Sequence, residues 1–220
     1  MSEDRETTVP DNKNKTAILL ASRPTTVGMR RYLPPNPFVV SADAGWKNAQ
    51  ILGLQVDLAV GDFDSSSPPQ QAKEVILLPQ EKDDTDTMFA AREIVARGFG
   101  EAILFGATGG RTDHFFANLQ TMLYLAKQGV QSKMYDDKTE IFCLWPGEYR
   151  FASQKNRFLS VFAAGGAATR ICLEQVKYPL WEATLTPDTP LGISNEFLAG
   201  EDEAVVRFRE GYLYVMVCEE

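Results

Sequence analysis

The stretch EAILFGATGGRTDHFFANLQTMLYLAKQG (101–129) decides the fold. Its first seven residues are a short apolar run, readable as a buried strand. The glycine turn TGGRTD follows. Phe115, Leu119, Met122, Leu123 and Ala126 then recur at i, i+4, i+7, i+8 and i+11, which is an amphipathic helix. Asp113 is placed to cap its start, and Gly129 falls just past its end. Strand, turn and helix in this order are the repeating unit of a parallel α/β sheet.

Working outward, TAILLAS (16–22) and VILLP (75–79) read as further strands, PFVVSADAGW (37–46) as a strand running into a small-residue turn, and LGLQVDLAV (52–60) as strand-like up to Val60. From Asp83 the period changes. Met88, Ala91, Ile94 and Val95 share one helical face, and Gly98 suits its C-terminal end. Residues 16–138 are therefore expected to form a parallel-sheet α/β domain. Beyond 139 the pattern shifts to short β-branched and aromatic runs: EIFCLW, EYRFA, FLSVFAA, TRICLEQV, AVVRFR and YLYVMV. No helical period appears there, so residues 139–220 are predicted to be a C-terminal all-β sandwich domain. Glu210-Gly211 predicts a two-residue hairpin between the last two runs. Residues 1–15 are almost all polar and are expected to be a disordered tail.

The chain has 220 residues, 44% hydrophobic and 24% charged, an ordinary globular composition. With 22 Lys and Arg against 30 Asp and Glu, its net charge is −8. That balance argues against a nucleic-acid partner, which attracts basic surfaces. No run approaches the ~18 apolar residues of a membrane span. The N-terminus lacks the apolar core of a signal peptide, so a cytoplasmic protein is expected. Three cysteines without CxxC spacing argue against a disulfide framework. With one histidine, His114, carboxylates are the obvious metal ligands.

Ligands bind parallel sheets at the carboxyl ends of the strands. Three loops leave candidate strands at that edge, and each carries aspartates. In GDFDSS (61–66), Asp62 and Asp64 are two apart, so an extended segment offers both carboxylates to one hard cation. Mg²⁺ fits such a pair, although Asp-Ser segments are also common turn chemistry. Ser65 can brace this loop. In KDDTD (82–86), Asp83 and Asp86 stand at a helix start, where an acidic cap is one reading. Three carboxylates exceed what capping needs, and a cation would relieve their repulsion. Lys82 beside them can contact a phosphate. In GGRTDH (109–114), Gly109 and Gly110 free backbone N–H groups for an anion, and Arg111 can hold a phosphate bidentately. The spacing is neither a Walker A loop nor GxGxxG. Together these loops suggest Mg²⁺-nucleotide phosphoryl transfer. An aspartyl-phosphate phosphatase built on DFDS is less fitting, since at least two strands precede Asp62. A non-catalytic nucleotide- or thiamine-binding regulator is a further alternative.

The motifs ADAGW (42–46), VGDFDS (60–65), KDDTD (82–86), GGRTDHFFAN (109–118), VKYPL (176–180) and GISNEF (192–197) resemble the thiamine pyrophosphokinase (thiamin diphosphokinase) family. The resemblance spans most of residues 40–197. It implies ATP-dependent transfer of a pyrophosphoryl group to the thiamine hydroxyl, giving thiamine diphosphate and AMP. It also implies a homodimer with active sites at the subunit interface. Asp62, Asp64 and Asp86 match the family's Mg²⁺-binding aspartates, with Arg111 and Asp113 beside them in the catalytic set. Asp43, Lys82, Asp83, Gly110, Arg111, His114 and Asn118 are the residues expected around ATP. Ser194 and Asn195 are expected in the thiamine pocket, where Trp181 can stack on a ring. Two departures from the family stand out. The segment after the first strand reads Ala21-Ser22-Arg23-Pro24-Thr25-Thr26 rather than glycine-rich, and Ala44 stands where the family often has Gly or Ser.

Overall fold

The computed structural model describes residues 12–64 and 67–220. Most of the expected tail, and Ser65, lie outside the described residues. Residues 12–15, also read as tail, form a turn in which Lys15 N–H donates to Asn12 O.

The parallel strands are β1 (Thr16–Leu20), β2 (Phe38–Ala42), β3 (Leu58–Gly61), β4 (Glu74–Leu77), β5 (Glu101–Phe105) and β6 (Gln131–Tyr135). The helices are α1 (Trp46–Leu52), α2 (Asp86–Ala96) and α3 (Thr112–Lys127), with short 3-10 turns at Val27–Tyr32 and Asp43–Gly45. Eight more strands follow: β7 (Thr139–Leu144), β8 (Gly147–Ala152), β9 (Arg157–Ala163), β10 (Ala168–Glu174), β11 (Leu180–Leu185), β12 (Gly192–Glu196), β13 (Glu203–Phe208) and β14 (Leu213–Glu219).

Ten strands make one sheet in the order β12-β9-β14-β7-β6-β5-β1-β2-β3-β4, and four make a second, β11-β10-β13-β8. From β4 to β6 every pairing is parallel; from β6 onward every pairing is antiparallel. The two halves therefore share a continuous sheet, and the change of character near residue 139 is the tight β6–β7 turn. Alternating residues of β1 serve two cores. Ala17 and Leu19 pack under α2 and α3 with Ile94, Met122 and Leu125. Ile18 and Leu20 pack on the opposite face with Ala49 and Leu52 of α1. A third core lies between the antiparallel strands of the large sheet and the small sheet, with Val161, Val215, Ile171 and Phe208. This sandwich is the all-β half expected from residues 139–220.

Three local expectations need correction. The hairpin at Glu210-Gly211 does not form: β13 pairs with β8 and β10, whereas β14 pairs with β7 and β9 in the other sheet. Gly211 does turn the chain, with φ +84, but it carries it across the sandwich. Helix α3 starts at Thr112, so Asp113 lies inside its first turn, its carboxylate accepting from His114 N–H at 2.9 Å. Helix α2 is capped by Thr85, whose Oγ accepts from Met88 N–H at 3.1 Å, and not by an aspartate. The acidic residues of that segment are thus left over from capping.

Candidate active site

The order of the parallel strands reverses between β1 and β5, so the crevice at their carboxyl ends is the topological switch point. The loops after β2, β3, β4 and β5 all open on this edge. Asp43 follows β2, Asp62 and Asp64 follow β3, Lys82 and Asp86 follow β4, and Gly109 to Asp113 follow β5.

Asp43, Asp62 and Asp64 form the centre, with one carboxylate oxygen of each within 4.8 Å of the others. Local backbone geometry builds this cluster. Asp43 has φ +46 and Phe63 has φ +51, a left-handed region that costs non-glycine residues. Gly61 allows the two loops to meet: a Cβ there would lie 3.0 Å from Asp43 Cα. Gly45 fits against β1, where a Cβ would lie 2.0 Å from Leu20 O. Asp43 Oδ1 is buried with no hydrogen-bond partner, as a carboxylate oxygen awaiting a cation would be.

Lys82 ties the third loop to this centre. Its Nζ donates to Asp62 Oδ2 at 2.8 Å and lies 3.0 Å from Asp86 Oδ1. The hydrogen bonds from Lys82 and from Asp64 N–H hold Asp62 below the ordinary carboxylate pKa. Burial raises that of Asp86, against the opposing pull of Lys82, and the charges of Asp62 and Asp43 add to the rise. Asp86, expected as a third ligand, thus sits one ammonium away from the Asp62 carboxylate. The residue completing the close cluster is Asp43, which sequence reasoning placed only among the polar residues of the site. Asp83 is exposed, and Asp84 pairs with Arg92 at 2.8 Å.

On the β5 side, Arg111 and Asp113 form an exposed ion pair at 2.6 Å. His114 is exposed. Gly109 and Gly110 have φ +70 and +69, so the glycines are required by the turn. Asn118, expected to contact the nucleotide, is buried beneath this loop and donates to Ala107 O at 2.7 Å. Sequence reasoning missed Asn48. It is buried on α1, donates to Ala21 O and Arg23 O, and accepts from Thr25 N–H.

The two motifs of the all-β half also meet. Lys177 N–H donates to Glu196 O, and Val176 bridges Phe197. Asn195, expected in the thiamine pocket, is 3% exposed, and its amide is occupied by the main chain of Tyr178, accepting at 2.9 Å and donating at 2.8 Å. Ser194 is exposed with φ +54. Trp181, Tyr178, Leu191 and Ile193 are all more than half exposed around it.

A cleft of 630 Å³ lies at the opposite, amino-terminal ends of the strands, lined by Phe38, Asp57, Lys73, Arg97 and Phe99. Of its cations, Lys73 and Arg97 are already paired with Asp57 and Glu74.

Residues 29–134 match the catalytic-domain model of thiamin pyrophosphokinase. Residues 148–213 match the family's vitamin B1 binding domain. The chain belongs to the thiamin pyrophosphokinase family. The thiamine pyrophosphokinase of Bacillus subtilis (strain 168) is 26% identical over 211 residues, covering 92% of this chain and 98% of that protein. Crystal structures tell the same story of a shared fold. The Bacillus subtilis thiamine pyrophosphokinase superposes with a TM-score of 0.80 at 26% identity, over 94% of this chain and 100% of the other. A thiamin pyrophosphokinase family protein from Enterococcus faecalis gives 0.78 at 28% identity, over 94% and 99%. The thiamin pyrophosphokinase of Candida albicans, 13% identical, shares the fold with a TM-score of 0.73 over 93% and 89%. The boundary between the two matched regions falls at β7, where the thiamin pyrophosphokinase sheet turns from parallel to antiparallel.

Proposed function

We propose that this protein transfers the pyrophosphoryl group of ATP to the hydroxyl of thiamine, giving thiamine diphosphate and AMP. The observation that carries the reading is the Asp43–Asp62–Asp64 cluster at the switch point, with Lys82 and Asp86 against it. All-oxygen donors and the orphaned Asp43 Oδ1 fit a hard divalent cation. Asp43, Asp62 and Asp64 would hold Mg²⁺, with Asp86 as a further carboxylate within reach of Lys82. Bound there, Mg²⁺ supplies neutralising charge for the phosphate oxygens.

The protein's own groups do the rest by position. Lys82 balances Asp62 and Asp86 and presents an ammonium at the phosphate end. The Gly109–Gly110 turn offers backbone N–H groups, and Arg111 adds a guanidinium once Asp113 releases or shares it. Transfer through a loose transition state needs in-line placement and charge more than a dedicated base. Residues 16–138 carry ATP in this reading, and residues 139–220 carry thiamine. The exposed Trp181, Tyr178, Leu191 and Ile193 support a homodimer in which the surface around Ser194 faces a second copy's aspartate loops. ATP as co-substrate supports action in the cytoplasm.

ATP labelled at the β-phosphorus tests the reading. Pyrophosphoryl transfer moves the label into the thiamine product. A product free of label, with the label left in ADP, would reject it.

A further inference from the structure

We propose that Arg23 binds the phosphate chain of the nucleotide in the crevice between β1 and β5, an assignment that rests on the ATP-dependent reading above. Among the described residues, the loops after β1, β4 and β5 each carry a cation at this edge. Two are already engaged: Lys82 with Asp62 and Asp86, and Arg111 with Asp113. The guanidinium of Arg23 has no hydrogen-bond or ion-pair partner among the described residues, and Arg23 is exposed. An unpaired guanidinium at an anion-binding edge is a ready bidentate donor.

The backbone beneath it is held firmly. Arg23 N–H donates to Gly106 O at 3.0 Å, and Ala21 N–H to Phe105 O at 2.9 Å, which locks the β1 loop to the end of β5. The buried Asn48 amide holds Arg23 O at 2.7 Å, Ala21 O at 2.8 Å and Thr25 N–H at 3.1 Å. Gly106, at φ +66, leaves no room for a Cβ, which would lie 2.3 Å from Arg23 O. The side chain then runs flat across Gly110: a Cβ on that glycine would meet Arg23 Nε at 2.6 Å and Cζ at 2.7 Å. The guanidinium therefore lies over the Gly109–Gly110 turn. Asn48 acts through Arg23 as a positioning residue.

The test is titration of α,β-methylene-ATP with Mg²⁺ into wild type, Arg23→Gln and Arg23→Lys, followed by calorimetry. A charged hydrogen bond is worth about 1.5–3 kcal/mol, so Arg23→Gln should bind the analogue about tenfold or more weakly. Arg23→Lys should fall between the two, since a point charge replaces a bidentate contact. Binding of thiamine without nucleotide should be unchanged in both, and both should keep the wild-type unfolding midpoint. Analogue binding within twofold of wild type in Arg23→Gln would overturn the assignment, as would an equal loss of thiamine binding. The parent reading is checked separately by the wild-type products: ADP with thiamine monophosphate would sink it without touching the titration.

Discussion

Asp43 carries its carboxylate on a left-handed backbone, half-buried and with its buried Oδ1 unpartnered. Such a residue costs the fold of order 1–3 kcal/mol in strain. A cation shared with Asp62 and Asp64 would offset that. Asp43→Asn and Asp62→Asn should therefore each lower kcat by about a hundredfold or more at saturating Mg²⁺, the scale of several kcal/mol of charge stabilisation. Circular dichroism should show both folded; near-normal turnover in both would remove the metal role. The pH dependence follows from the two shifted aspartates. Asp62 is lowered, so its pair with Lys82 stabilises the fold above the unfolded carboxylate pKa. That contribution is lost as pH falls through the lowered value. Asp86 is raised by burial, so the folded state takes up a proton more readily than the unfolded chain. It opposes folding at neutral pH and is relieved by acid. A cation held by the Asp43–Asp62–Asp64 cluster would need Asp62 deprotonated. Mg²⁺ should then raise the melting temperature at neutral pH, and the rise should be lost as pH falls through the lowered pKa of Asp62. A shift that persists in acid would contradict the carboxylate site.

Among the elements, β1, β2, β3 and β5 were the most legible, because buried strands read as short apolar runs, and α2 and α3 show their periods; β6, reading QSKMY, has no such run and went unread. The seven-residue α1 is too short to display one. Strands β11 and β12 sit at sheet edges with an irregular mix of exposed, half-buried and buried side chains, so LWEATL and GISNE carry no clear alternation. The misread hairpin at Glu210-Gly211 has a general cause: a glycine turn reports a reversal and not the partner of the returning strand. At the site, the acidic loops were readable as motifs. The grouping of Asp43 with Asp62 was not, since it depends on the backbone at Asp43 and on the missing Cβ of Gly61. Asn48 and Asn118 were illegible as loop clamps for the same reason, because their partners are main-chain carbonyls far along the chain. Asn118→Ala should cost about 1–3 kcal/mol by leaving Ala107 O unpaired. It should raise the KM for ATP more than that for thiamine, since the loop it holds carries Gly110 and Arg111. Urea unfolding and steady-state kinetics check both; equal effects on the two substrates would point to general loosening.

At the scale of the molecule, one ten-stranded sheet joins the aspartate loops to the antiparallel half, where a small second sheet completes the sandwich. Tyr178, Trp181, Leu191 and Ile193 are exposed apolar residues on two edge strands and their flanks. Trp181→Glu should weaken self-association, read by analytical ultracentrifugation, and activity should fall with dimer content. Full activity as a monomer would place the whole site within one chain. Every part of the account converges on which bond of ATP is broken. Protein, ATP, Mg²⁺ and thiamine should be incubated together and all products quantified by chromatography. The account predicts AMP and thiamine diphosphate in equal amounts, and ADP appearing with thiamine monophosphate would contradict it.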